Sequence, residues 1–206
     1  AVDVATNALD MLQPTAASHR RAMILEVMGR DAGHIALNAG IAGGADVILI
    51  PEITYSIKSI AEHIDKIRKN GRNHALIVVA EAVKKENGKK AVVKFVDGQV
   101  RLGGIGAYLS EKISKLTKAE IRVTVLGHLQ RGAQPTHRDR LIASAFGVHA
   151  VDLIAENKFN RVVVWKNRGV EDLNLDEIAG KSKTINKNDP LIEVARGLGI
   201  YIGDIS

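Results

Sequence analysis

Residues 21–50 read RAMILEVMGRDAGHIALNAGIAGGADVILI, and their order decides the fold class. The apolar run 21–28 (RAMILEVM) is stopped by Gly29, and the run 46–50 (DVILI) is stopped by Pro51. Both have the length of buried strands. Between them, residues 32–42 set Ile35, Leu37 and Ile41 among small side chains and end at Gly43-Gly44, which predicts a closely packed helix. The result is a strand, helix, strand unit.

Downstream the pattern repeats. Residues 56–70 carry Ile57, Ile60, Ile64 and Ile67 at helical spacing and stop at Gly71. A third strand is read at 74–81 (HALIVVAE), and after the charged loop 84–90 a short hairpin at 91–100 turns on Asp97-Gly98. A helix at 105–118, a fourth strand at 121–126 (IRVTVL), a long helix at 137–157 and a fifth strand at 161–165 follow. A helix at 1–12 precedes them all. Residues 167–187 are polar and weakly patterned, with a short helix at 175–179, before a last helix at 190–198. The expected fold is α/β, a parallel sheet with helices on both faces in three Rossmann-like layers.

Composition narrows the function classes. The 206 residues are 46% hydrophobic and 25% charged, an ordinary globular balance that suits one large domain or two small ones. No apolar stretch reaches the roughly 20 residues of a membrane span, and residues 1–13 lack the order of a secretory signal. With no cysteine, disulfides, thiolate catalysis and Cys-ligated zinc are excluded, and a cytoplasmic setting is the default expectation. Twenty-nine Lys and Arg against 23 Asp and Glu leave a net charge of +6, which favours an anionic partner. Aromatic residues are only 3% of the chain, too few to stack bases, so phosphorylated small molecules fit better than nucleic acid.

In open parallel sheets, ligands bind beyond the carboxyl ends of the strands. After the first strand stands Met28-Gly29-Arg30-Asp31-Ala32-Gly33, a turn opening a helix, where backbone N–H groups and the helix dipole favour an anion. After the fourth stands Gly127-His128-Leu129-Gln130-Arg131-Gly132, with an imidazole and a guanidinium three residues apart. The third strand ends in Glu81, a carboxylate suited to sugar hydroxyls. Singly, each has a structural reading: a strand-end charge for Glu81, a capping or packing role for His128, a surface pair for Arg20-Arg21. Their convergence at one edge of the predicted sheet is what points to a site.

Those residues are also where the chain resembles the phosphofructokinase family. The string VMGRDAGHIAL with AGGAD and LIPE downstream, the strand ending in Glu81, and VTVLGHLQRG occur in the family's order and at compatible spacings over nearly the whole chain. The resemblance implies phosphoryl transfer from ATP, or in some members pyrophosphate, to the 1-hydroxyl of fructose 6-phosphate in glycolysis, with Mg2+. It also implies roles. Arg21, Arg122, His128 and Arg131 match positions that hold the 6-phosphate, Arg21 and Arg122 from a neighbouring subunit. Met28 and Gly29 match the loop along the sugar, Glu81 the residue bonding its hydroxyls, and Arg30 the catalytic arginine near the transferred phosphoryl. Gly44, Asp46 and Arg72 match an effector site, although Gln13 and Asn70 stand where basic residues belong. No metal ligand is implied within this sequence.

The departures carry information too. The family's glycine-rich nucleotide loop and TxDxD-type segment with the catalytic base are not in this sequence, and Gly132-Ala133-Gln134-Pro135 replaces the usual double glycine, small residue and proline. The chain therefore reads as the sugar-phosphate half of a subunit, inactive alone and binding no nucleotide or Mg2+ by itself. Fructose 6-phosphate or fructose 1,6-bisphosphate and further copies of the chain are the expected partners, with no nucleic acid and no membrane. The resemblance divides it into a fructose-phosphate-binding domain, 1–131 with 188–206, and a segment, 132–187, that crosses back to a nucleotide-binding domain. An apolar face left open there would pack differently or drive self-association. Two other classes remain: a non-catalytic module holding a nucleotide or another anion at the same edge, and nucleic-acid binding through net charge.

Overall fold

The computed structural model describes residues 1–94 and 100–203. The chain divides into two compact units, Ala1–Gly132 with Thr184–Ser206, and Ala133–Lys183. In the first, α1 (Val2–His19) leads into β1 (Arg21–Val27), α2 (His34–Ala42), β2 (Val47–Leu49), α3 (Ile57–Lys69) and β3 (Ala75–Ala80). The short pair β4 (Val92–Lys94) and β5 (Val100–Leu102), α4 (Ile105–Ile113), β6 (Glu120–Val125) and a 3-10 turn at Gly127–Arg131 follow. The last helix is α7 (Pro190–Gly197); the predicted turn at Asp97-Gly98 lies outside the described residues.

Four strands form one parallel sheet in the order β2-β3-β1-β6. Successive side chains of a strand point to opposite faces, yet every residue of β3 and all but the first of β1 are buried or nearly so, which requires cover on both sides. Gly40 of α2 lies so close to β2 that a Cβ would come within 2.6 Å of the Ile48 side chain, and Gly106 of α4 so close to the sheet that one would come within 2.8 Å of Val123. Small residues in these helices thus set the distance between layers.

One polar group sits inside. Glu26, in β1, is 2% exposed and accepts hydrogen bonds from the backbone N–H of Gly104 (3.0 Å) and Gly106 (2.8 Å) at the start of α4. It occupies the place where a helix N-terminus presents unpaired donors. Burial pushes its carboxyl up from the ordinary range, against the two N–H groups that pull it down.

Two predicted helix ends shift. The first helix continues past residue 12, through the exposed Pro14, to a stop at Arg20 in the left-handed region (φ 57°). Solvent can hydrate the carbonyl that the proline leaves unpaired. The helix read at 105–118 ends at Ile113.

The second unit corrects a larger expectation. Here α5 (His137–Ala155), opened by a reciprocal Thr136–Asp139 capping box, packs on β7 (Arg161–Lys166) and β8 (Gly169–Asn174), with α6 (Leu175–Ile178) after them. The predicted fifth strand is not a member of the parallel sheet; β7 pairs antiparallel with β8 in a sheet of their own. Asn167 and Arg168 connect them with φ of 51° and 64°, the two positive angles of a type I′ hairpin turn. The polar stretch after residue 166 concealed β8, because Gly169–Asn174 shows no strong alternation of apolar residues.

Candidate active site

Strands β1 and β3 are neighbours, but β1 continues through α2 to β2 while β3 continues through α4 to β6, on the other side of β1. With right-handed crossovers the two connections leave over opposite faces, opening a crevice at the carboxyl ends of β1 and β3. The predicted motifs meet there. A cavity of about 210 Å³ is lined by Met28, Gly29 and Arg30 after β1, Glu81 after β3, and Gln130 and Arg131 after β6. Two guanidinium groups and one carboxylate, read separately from the sequence, thus share one concave space.

The turn after β1 is held by side chains rather than left open. Oε1 of Glu81 accepts from the N–H of Gly29 (3.2 Å) and of Arg30 (3.0 Å). Glu52 Oε1 takes the N–H of Gly33 (3.0 Å), at the N-cap of α2, together with that of Ile185 (2.9 Å). This corrects the expectation that the N–H groups of the turn stand free for an anion: those of Gly29, Arg30 and Gly33 are held by the chain's own carboxylates, which leaves Arg30 and Arg131 as the cationic side chains lining the cavity. Arg30 has φ of 49°, a left-handed conformation that costs a non-glycine residue about 1–2 kcal/mol and that the two bonds to Glu81 help to sustain.

Gln130 was legible in GHLQRG only as part of a string, and its role was missed. Although flanked by the exposed Leu129 and Arg131, it is 2% exposed; its Oε1 accepts from the N–H of Met28 (3.3 Å) and its Nε2 donates to the carbonyl of Gly127 (3.1 Å). Glu52 and Glu26 were likewise missed, because nothing in a strand or a PE dipeptide announces which distant N–H groups it will meet.

The other predicted residues lie elsewhere. His128 is exposed on the 3-10 turn and does not line the cavity. Arg21 opens β1 and Arg122 lies near the start of β6, so a strand of seven residues, about 20 Å at roughly 3.3 Å per residue, separates Arg21 from the turn. Both arginines pair with Glu120 (Arg21 Nε to Oε2, 3.0 Å), and Arg21 is the main reason the Glu120 carboxyl lies below its ordinary range.

Asp46 and Arg72 pair at the amino ends of β2 and β3, where Asp46 Oδ2 also accepts from the N–H of Leu76 (2.8 Å). Gly44, at φ of 66°, stands two residues before this pair, with open space where a Cβ would project. These three residues are not brought to the cavity.

Comparison with known proteins bears on the family and the fold. The family model described as Phosphofructokinase matches residues 1–154. The chain is 55% identical over 204 residues to ATP-dependent 6-phosphofructokinase 1 of Nostoc sp., covering 99% of this chain and 57% of the relative. It is 52% identical over 206 residues to the protein of the same name from Synechocystis sp., covering 99% of this chain and 56% of the relative. It therefore spans little more than half the length of these relatives. Among solved structures, phosphofructokinase from Saccharomyces cerevisiae superposes with a TM-score of 0.70 at 28% identity over 93% of this chain and 24% of that one. Pyrophosphate-dependent phosphofructokinase from Nitrosospira multiformis shares the fold, with a TM-score of 0.75 at 21% identity over 98% of this chain and 55% of that one. A chain whose GHLQRG and MGR turns close on one cavity, and whose first 154 residues match that family model, belongs to the phosphofructokinase family.

Proposed function

We propose that this chain supplies the fructose-phosphate half-site of an ATP-dependent 6-phosphofructokinase, a phosphotransferase that acts on the 1-hydroxyl of fructose 6-phosphate. The observation that carries this reading is the shared cavity of Arg30, Arg131 and Glu81. In it, Arg131, with His128 beside it on the turn, takes the 6-phosphate; a guanidinium offers paired donors in the geometry of a phosphate and does not titrate. Glu81 holds the turn with Oε1 and offers Oε2 to a sugar hydroxyl. Arg30, catalytic in this assignment, places fixed positive charge where negative charge shifts during transfer.

Arg21 and Arg122, at the opposite end of their strands, serve the site of a neighbouring copy, so the working form is a homo-oligomer. Gly44, Asp46 and Arg72 are the assigned effector residues, with Asp46 competing with the effector for Arg72. ATP and Mg2+ belong to the rest of the subunit in this reading. The segment 132–187 packs against that remainder. Its helix α5 exposes Leu141, Val148, Val151 and Ile154 to solvent, an apolar face of the kind that marks an interface. No helix of the described residues is long and apolar enough to cross a membrane, and a cytoplasmic location follows from the glycolytic role assigned.

Titration calorimetry tests the half-site. Charge-assisted hydrogen bonds contribute about 1.5–3 kcal/mol each and association costs at least about 4 kcal/mol, so a single copy of the chain, without a neighbour's Arg21 and Arg122, should bind fructose 6-phosphate in the millimolar range. Arg131→Ala should abolish the heat. Equal heats for both proteins would overturn the assignment, and nucleotides outcompeting sugar phosphates would replace it with a regulatory anion-binding module.

A further inference from the structure

We infer that Gln130 is a positioning residue that sets the spacing between the two cationic turns, and that its amide must both accept and donate to do so. This rests on the half-site reading for its consequence in binding, and on geometry alone for the positioning itself. The turn after β1 and the turn after β6 carry Arg30 and Arg131 respectively, and each turn ends a different strand. Strand pairing fixes Glu26 opposite Val125 and brings the N–H of Leu126 to the carbonyl of Glu26 (3.1 Å), but the ladder stops there. Beyond it, the bond that Gln130 Oε1 accepts from the N–H of Met28 joins the two turns, while Nε2 ties the side chain to the carbonyl of Gly127 on its own turn.

The chemistry is selective. A buried amide has one end that accepts and one that donates, and here the two ends meet a donor and an acceptor on different turns. Methionine keeps the length and volume but offers neither. Glutamate keeps the shape and can accept from Met28, but when ionised it sets a second lone-pair oxygen against the carbonyl of Gly127. Protonated, it regains a donor and reproduces the amide. Gln130 is 2% exposed, so these mismatches are not relieved by water. Its neighbour Glu81 constrains the same turn one and two residues further on, at Gly29 and Arg30. Met28 is therefore the point at which the position of Arg30 is referred to the turn bearing Arg131.

The test uses the 206-residue chain, with fructose 6-phosphate as the probe. Gln130→Met is expected to weaken binding about tenfold, the scale of one lost buried hydrogen bond, and to speed amide exchange at Met28. Gln130→Glu should bind weakly at neutral pH and recover toward the wild type as pH falls and its carboxyl protonates. Expressing each affinity as a ratio to the wild type at the same pH cancels the titration of the sugar phosphate. Because an ionised carboxylate at position 130 would also repel the phosphate, the recovery is read as well in ligand-free amide exchange at Met28, again as a ratio to the wild type, which a purely space-filling role would leave unchanged with pH. If the wild type binds and Gln130→Met binds equally, the positioning role is overturned while the half-site stands. If the wild type does not bind, the half-site reading fails, and amide exchange at Met28 still decides the positioning: unchanged exchange in Gln130→Met overturns it, faster exchange supports it.

Discussion

Replacing Glu26 by alanine is expected to destabilise the sheet-bearing unit by about 3–6 kcal/mol, the sum of two buried hydrogen bonds to a carboxylate at about 1.5–3 kcal/mol each. The N–H groups of Gly104 and Gly106 would then lie beside β1 with no acceptor, at the start of a helix whose dipole favours negative charge there. Denaturant unfolding followed by circular dichroism checks the value; a loss under about 1 kcal/mol would show that water or a backbone shift replaces the carboxylate. Gln at position 26 keeps one acceptor and should cost less, about 1–3 kcal/mol.

The pH dependence follows from the raised carboxyl of Glu26. In the unfolded chain this group ionises near its ordinary value of 4.5, while in the folded chain burial delays ionisation. Protons are therefore held more tightly by the folded state, and the contribution of Glu26 is complete below 4.5 and declines as pH rises through the folded value. The stability difference between the wild type and Glu26→Gln should accordingly narrow as pH rises from 4.5, in unfolding curves measured across that range. A difference independent of pH would show that Glu26 ionises alike in both states.

Gly33→Ala should be the next most damaging change, at about 2–3 kcal/mol, typical of overpacking in a filled core. A Cβ there would lie 2.3 Å from Cγ2 and 2.4 Å from Cβ of Ile50, and the Cβ cannot move without displacing the backbone just past β2. The same change would press on Glu52, whose carboxylate caps this helix, and so disturb the turn that carries Arg30. Gly147→Ala is the matched control. That glycine lies within α5 with nothing within 4 Å of where a Cβ would project, and alanine should stabilise it by up to about 1 kcal/mol. Melting temperatures moving in opposite directions would support both assignments, and a neutral Gly33→Ala would refute the packing argument.

Periodicity and punctuation in the sequence were enough to mark the four strands of the parallel sheet and the edge at which the predicted motifs meet. Apolar runs stopped by Gly29 and Pro51, and isoleucines at helical spacing from Ile57, are local signals, because burial imposes them on each strand and helix separately. The edge of the sheet at which MGR, Glu81 and GHLQRG meet follows from chain direction alone, since parallel strands end together. Tertiary structure alone decided which donors and acceptors meet. The N–H groups of Arg30 and Gly33, in the turn expected to cradle an anion, are held by Glu81 and Glu52, residues 51 and 19 positions away. Gln130 reaches 102 residues back to Met28, and the strand read at 161–165 took an antiparallel partner, β8, rather than a place in the parallel sheet. Hydrogen bonds and strand pairs depend on distances of about 3 Å between groups far apart in the chain, and such distances exist only once the layers have packed.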